Sequence, residues 1–480
     1  MRAPARCATG SRLHHPGNCP AIMNMINVAL SGATAAQTAL NTTSQNIANV
    51  MTAGYTRQGV LLASVQPAQG GLNAAGNGVN TTSLLRFSDS YKNQQMWRAN
   101  TDFGRNSVMQ PYLDQLEQVM NDDNGSINVA LDGFYSALNA ASVDSTSTPM
   151  RQQVITAADQ LAQRFNSMQQ LLANQRTSIA QQSSASVQQI NGLSSSIAEL
   201  NRQIATAQSQ GANASGLIDK RDQAIDSLAN LVDIQIVDQG GGLQSVSLRG
   251  GQPLVVGTRA ATMSVQTNGA GVQDFTLKFA NETFALPAST LGGQLGGLNG
   301  FDVNTLQPLM QSVSDMANTI ATKVNTQLAA GFGMSGAAGG PLFDFNAAGG
   351  AGVLSLHPGV LAQDLGFSGD ATKPGDNSNL LAVIDIKNQP VALAGLGTVT
   401  LGDAFTQLVG NVASLSAQNK ASLATSKTVR TQAEESWKST SGVNQDEEAM
   451  NLLQYQQMYQ ANMKVIAVAN QLFDSTLQIL

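Results

Sequence analysis

SGVNQDEEAMNLLQYQQMYQANMKVIAVANQLFDSTLQIL, residues 441–480, is the stretch whose reading decides the fold. It contains no Pro, and no Gly after Gly442. Leu452, Tyr459, Ile466, Phe473 and Leu480 recur every seven residues, and Met458, Val465, Leu472 and Ile479 recur one position before. Seven residues is nearly two helical turns, so both series lie on one side of a single long helix. Gln454, Gln457, Gln460, Lys464, Gln471 and Gln478 take the other side. The apolar stripe continues through Leu480. A helix cannot bury such a face alone, so it requires another helix or another copy.

A matching segment starts at Met23: MNMINVALSGATAAQTALNTTSQNIANVMTAGYTRQ. Ile26, Ala33, Leu40 and Ile47 fall at seven-residue spacing, with Ala29, Leu30, Ala36 and Val50 beside them. Small residues on this face let a second helix approach closely. Gly54 suits a left-handed cap at its end. The economical reading pairs this first helix with the last.

Between them, Gln58 to Ser83 alternates and carries a glycine cluster, which reads as a hairpin or extended segment. Helical spacing returns over 88–120 and 126–141, broken at Asn121–Gly125. The longest predicted helix starts at Ser147-Thr148-Pro149, with Thr148 as N-cap and Pro149 in the first turn. Its stripe is diluted by Gln and Ser between Gln175 and Gln189, which leaves room for a kink or loosened pairing. Carried to Gln208, about 60 residues at 1.5 Å each give a rod of about 90 Å, which suits a fibre wall better than a compact enzyme. One more helix covers 216–232. From Asp233 the period changes to two, and short strands at 234–236, 246–248, 254–256 and 275–279 form a small β domain. Helices return at 304–328 and 400–440. The expected fold class is mainly α: long coiled-coil-like helices from both the N- and C-terminal parts of the chain, with a small inserted antiparallel β domain. The corresponding domains are 23–56 with 443–480; 57–232 with 301–330 and 376–442; 233–300; and a Gly-rich, loop-like outer region at 331–375 that should tolerate replacement.

Composition narrows the function. The 480 residues carry only 12% charged side chains and a net charge of −6, which argues against a nucleic-acid surface. No run approaches the roughly 20 apolar residues of a membrane span. Both cysteines, Cys7 and Cys19, lie in the first 22 residues with His14 and His15. A zinc reading of these four has poor spacing and context. The preferred reading is an upstream start, with the protein proper beginning at Met23 or Met25.

No catalytic constellation emerges. Asp219, Lys220, Arg221 and Asp222 sit in LIDKRDQAIDSL, where adjacent opposite charges on a helix serve as a solvated face or a packing clamp. His357 has no nearby Cys or second His. Asp446-Glu447-Glu448 could be taken for a cation site, but a first-turn position in the helix dipole, with Asn444 as N-cap, explains it more simply. No G-x-S-x-G, P-loop or H-E-x-x-H motif occurs. No cofactor, metal or enzymatic activity is therefore expected.

Two stretches resemble a known family. SQNIANVMTAGYTR (44–57) is similar to the N-terminal signature of the bacterial flagellar axial proteins of rod, hook and junction, and SGVNQDEEAMNLLQYQQMYQANMKVIAVANQLFDSTL to their C-terminal signature in its hook–filament junction form. GNGVNTTSLLR (76–86), LIDKRDQAIDSL (217–228), GGQLGGL (292–298), VNTQLAAGF (324–332) and GDNSNLLAV (375–383) extend the match. Asn46, Asn49, Gly54, Tyr55, Arg57, Asp219, Arg221 and Asp222 carry the motifs. The resemblance implies a non-enzymatic junction subunit that self-assembles into a ring-like helical oligomer, its terminal helices forming the inner layer and ordering as they assemble. Candidate contact residues are Ile26, Leu30, Leu40, Ile47, Leu452, Tyr459, Ile466, Phe473 and Leu480. Implied partners are the hook protein, the second hook–filament junction protein, other copies, and an export chaperone at the C-terminal helix. Implied localisation is the extracellular flagellum, reached by type III export without signal cleavage. Some members carry a second outer domain where this chain is short, between Gly331 and Gly375. A hook or rod subunit is the near alternative; a secreted coiled-coil effector would need a catalytic constellation in 233–375.

Overall fold

The computed structural model describes residues 19–66, 76–122, 126–269, 271–347, 352–393 and 395–479. Its first half runs α1 (Cys19–Ala48), β1 (Gln58–Ser64), β2 (Val79–Arg86), α2 (Ser90–Met120), α3 (Ile127–Val143), α4 (Thr148–Ser209) and α5 (Ser215–Leu231). Seven strands follow: β3 (Ile234–Gly240), β4 (Leu243–Leu248), β5 (Pro253–Val256), β6 (Arg259–Ala260), β7 (Thr262–Thr267), β8 (Gln273–Phe279) and β9 (Glu282–Leu286). The chain then forms α6 (Gly293–Phe301), a π-helical turn at Asp302–Leu306, and α7 (Gln307–Ala329). After β10 (Phe343–Phe345), β11 (Leu354–Leu356), α8 (Ser378–Asp385), β12 (Val391–Leu393) and β13 (Gly397–Val399), it ends in α9 (Leu401–Ser441) and α10 (Gln445–Ile479). The fold is mainly α, with long helices from both ends of the chain and small antiparallel sheets inserted between them.

Two compact units result. The larger comprises 96–202 and 224–432. One of its cores joins Leu113, Leu116 and Met120 of α2 to α3, the first half of α4, α7, α8 and the start of α9. The other gathers Trp97, Ile190, Ile197, Ile225 and Leu228 against the β strands. Those strands form sheets ordered β3-β4-β5-β6 and β7-β8-β9, all antiparallel. In β8 the alternate residues Gln273, Phe275 and Leu277 are buried, as a half-buried strand requires.

Two expectations for this unit meet the structure here. Helix α4 is unbroken from 175 to 189. Its buried face there carries Gln175, Ile179, Ser183, Ser186 and Val187, so small and polar side chains narrow the seam without interrupting the helix. The amide of Gln175 donates to the Tyr112 carbonyl at 3.3 Å and to Gln115 Oε1 at 3.2 Å. Nor is 331–375 a loose outer loop. Leu342, Phe343, Val353, Leu354, Leu365 and Phe367 are all buried in the first core. The glycines serve close backbone approach: a Cβ on Gly366 would collide with the Leu328 carbonyl and the Gly339 backbone. Asn325 Oδ1 accepts from the Leu342 and Phe343 amides at 2.8 and 3.0 Å, fastening the segment to α7.

The smaller unit comprises the described residues up to Gln95, then 203–223 and 433 onward. It contains α1, the β1–β2 hairpin and α10. The hairpin pairs Gln58 with Arg86 at one end and Ser64 with Val79 at the other. Ser31 Oγ of α1 accepts from the Val79 amide at 3.1 Å and ties the hairpin to the helix.

Candidate assembly interface

The two terminal helices run antiparallel in constant register. Asn46 meets Glu448, and Gly32 meets Asn462, so fourteen residues down α1 match fourteen up α10. The buried face of α1 is built from Ala29, Gly32, Ala33, Ala36, Ala39 and Thr43 at helical spacing. A Cβ at Gly32 would overlap the Asn462 side chain, so the absence of one there sets the approach of the helices.

None of the eight described candidate contact residues is fully buried in the seam. Ile26, Leu40, Ile47, Leu452, Tyr459 and Ile466 are half-buried; Leu30 and Phe473 are 52% and 39% exposed. Leu480 lies outside the described residues. Met450, Leu453, Met463, Val465, Val468 and Leu472 of α10 are exposed as well. Within one chain, the helices meet through their smallest side chains and leave most of the larger ones at least partly open.

A polar lock closes the hairpin end. Asn46 is 1% exposed and uses both ends of its amide: Oδ1 accepts from the Gln58 amide and from the Tyr55 hydroxyl, both at 3.0 Å. Its Nδ2 donates to the Gln58 carbonyl at 2.8 Å and to Glu448 Oε2 at 3.1 Å. Arg57 Nε donates to Glu448 Oε1 at 2.7 Å and its Nη1 to Glu447 Oε2 at 2.7 Å. The guanidinium also lies 5.2 Å from the centre of the Phe87 ring. Glu448 is 1% exposed, a buried carboxylate made tolerable by a charged partner and a second donor. Burial, followed by the Asp219 and Glu448 carboxylates, pushes the Tyr55 phenol up to about 12.

A second ion pair lies beside it. Arg86 Nε donates to Asp219 Oδ1 at 2.9 Å and Nη2 to Asp222 Oδ2 at 2.7 Å; Nη2 also reaches Thr56 Oγ1 at 3.0 Å. Asp219 Oδ2 accepts from the Thr56 amide at 3.2 Å. Arg221 is 4% exposed and lies 4.0 Å from Asp222. Gly54 adopts φ +72° against the Gln223 side chain, and Asn49 Oδ1 accepts from Thr52 Oγ1 at 3.2 Å in the turn that ends α1. The motif residues thus converge as clamps. Sequence reasoning missed Arg86, Thr56 and the true role of Glu448. Asn444 does cap α10, accepting from the Asp446 amide at 3.0 Å, but Glu448 faces inward to Arg57. The one available signal was a third acid, beyond what a cap and dipole require.

The Arg57–Glu448 lock borders a cleft of about 120 Å³ lined by Thr42, Thr43, Phe87, Asn451 and Tyr455. Among the described residues no group of three or more His, Cys, Asp or Glu could hold a metal ion. No described helix is long and apolar enough to cross a membrane.

Three family models match the chain. "Flagella basal body rod protein" covers 26–56 and "Flagellar basal body rod FlgEFG protein C-terminal" covers 439–479, which are the two halves of this site. "Flagellar hook-associated protein FlgK helical domain" covers 113–343. The flagellar hook-associated protein 1 of Escherichia coli (strain K12) is 27% identical, over 95% of this chain and 100% of its own. That of Bacillus subtilis (strain 168) is 26% identical, over 94% and 97%. Over nearly its whole length the chain is similar to flagellar hook-associated protein 1. Its fold is also that of the hook junction protein FlgK from Burkholderia pseudomallei, with a TM-score of 0.63 at 20% identity over 72% of this chain and 99% of that one. Hook-associated protein 1 is a structural component of the flagellar hook–filament junction, and the likeness points to a non-enzymatic role here.

Proposed function

We propose that this chain builds the hook–filament junction by packing the outward side chains of α1 and α10 against neighbouring copies, and that both helices gain their order as they assemble. The supporting observation is the division of labour on the terminal helices. The intrachain seam is mostly alanine, which removes little apolar area from water, while Leu30, Leu453, Val468, Leu472 and Phe473 stay exposed. Ordering each backbone residue costs about 1–2 kcal/mol, so a seam of this kind does not hold two long helices without further burial. Neighbouring subunits supply it. Candidate neighbours are other copies, the hook protein on one side and the second junction protein on the other. An export chaperone covers the α10 stripe beforehand, and the chain is exported to the flagellum without cleavage. The half-buried Ile26, Leu40, Ile47, Leu452, Tyr459 and Ile466 complete the contact set.

The test replaces Leu453 and Val468 together by Asp in cells lacking their own family member. The melting curve should be unchanged, while filaments fail to stay attached in cells that export the variant. Normal filament attachment by the exported double variant would sink the reading.

A further inference from the structure

Where α2 meets α9 in the larger unit, the contact changes character along its length. At one end it is apolar: Phe405, Leu408 and Val412 of α9 join Leu113, Leu116 and Met120 of α2 in one core. Further along the same face of α9 the buried residues become Ser416, Asn419 and Ser426, at 0%, 7% and 7% exposure. They meet a polar row on α2. Asn419 Nδ2 donates to Gln110 Oε1 at 2.8 Å and to the Asn106 carbonyl at 3.0 Å. Gln110 Nε2 donates to Ser416 Oγ at 3.3 Å and to Asp114 Oδ1 at 2.9 Å. Ser416 Oγ donates to Glu117 Oε2 at 2.8 Å. Lys420 closes the rim, 3.0 Å from Asp114 and 3.6 Å from Glu117.

The helix carries an apolar alternative that it does not use. Leu415 and Val429 lie one and three heptads beyond Leu408, with Ser422 at the position between them, and they are 40% and 48% exposed. Turning α9 slightly would bring them toward α2 in place of Ser416, Asn419 and Ser426. Simple burial favours that turn. Pro111 sits inside α2 next to Gln110 and removes one helical hydrogen bond there. What opposes it is the network: shifting or rotating α9 strands Gln110 and Asn419 without partners in a buried seam.

We propose that Gln110, Ser416 and Asn419 form a register lock, selecting one pairing of α2 with α9 against a competing apolar one. In a protein that assembles through helices, the lock also keeps Leu415 and Val429 facing outward. Its purpose is specificity, so it carries no expectation of added stability.

The test reads register directly in the full-length protein with Cys7→Ser and Cys19→Ser. Cysteine pairs are placed at Asn106 with Ser426, the native register, and at Asn106 with Ser422, about one turn away, and are bridged with a short bifunctional bimane. With the lock intact, the native pair should be bridged about tenfold or more in preference, because a slip orphans at least one buried polar group. With Gln110→Leu, Ser416→Ala and Asn419→Leu combined, the two yields should become comparable while the melting temperature stays level or rises. Asn419→Leu alone should shift the ratio part of the way. An undiminished native preference in the triple variant overturns the proposal. So does a large fall in melting temperature in both variants, which would make the seam a stability element.

Discussion

Arg151 offers the sharpest test of how the larger unit is held together. It is fully buried at the start of α4, and among the described residues no carboxylate pairs with it. Nε donates to the Ser145 carbonyl at 2.6 Å, and Nη1 to the Leu365 and Ala362 carbonyls at 2.8 and 3.2 Å. The guanidinium lies 4.4 Å from the centre of the Phe367 ring. Burial pulls it down to about 10, still protonated at neutral pH. Replacing it with Met keeps most of the volume and removes every donor. The Leu365 carbonyl retains the Phe367 amide at 2.9 Å, so the Ser145 and Ala362 carbonyls bear the loss. Each unpaired buried carbonyl costs about 1–3 kcal/mol, and release from burying the charge returns part of this. Arg151→Met should therefore lose about 2–3 kcal/mol. Arg151→Ala should lose about 3–5 kcal/mol because a void is added. Urea unfolding followed by circular dichroism measures the loss, and hydrogen exchange should rise first in 362–368. A loss below about 1 kcal/mol for Arg151→Met, with exchange there unchanged, would refute the idea that this arginine fastens 362–367 to α4.

Three further outcomes are expected. Glu448→Ala should abolish most incorporation at the hook tip without changing the melting of the larger unit, since Arg57 keeps only the exposed Glu447; a charged hydrogen bond of about 1.5–3 kcal/mol is lost, and counting labelled subunits on purified hooks checks it. Tyr55 ionises about 12 where its surroundings are formed, against 10.0 ordinarily, so the folded state binds the extra proton and stability is lost as pH rises from 10 through 12; assembled subunits should dissociate over that range, and Tyr55→Phe should flatten the loss. Asp144 and Asp376 are held below the usual carboxylate range, first by hydrogen bonds from Thr146 and Ser378 respectively. Their contribution is present above pH 3.8 and lost as pH falls further, so acid unfolding of Asp144→Ala should shift to higher pH than that of the parent protein.

The parts legible in sequence are those governed by local periodicity. Seven-residue spacing over 452–479 marks one long helix, and a period of two after Asp233 marks strands; α10, β3, β4, β5 and β8 follow. Pairing of the first helix with the last was also readable, because Ala29, Ala33 and Ala36 leave room for close approach. Which side chains fill the seam was not. Spacing names a face some 100° wide or more, and only the partner decides which edge is buried; here Gly32 and Asn462 set the helices so that alanines close first. Glycine misled at 331–375 for a related reason. In sequence it signals a turn, but at Gly339 and Gly366 it permits backbones to touch across the core. Arg86 with Asp219, and Glu448 with Arg57, join residues far apart in the chain. Their charges are visible in sequence, but their pairing is a property of the fold.

The central claim is that the terminal helices become ordered only when neighbours cover them. Hydrogen exchange measures this directly, comparing residues 23–56 and 443–479 in the purified monomer with the same residues in isolated hook–filament junctions. The account predicts rapid exchange of both segments in the monomer beside a protected larger unit, and protection of both in the junction. Protection in the monomer equal to that of Leu113–Met120 and Leu161–Leu172 would contradict it, and assembly would then be the docking of a finished protein.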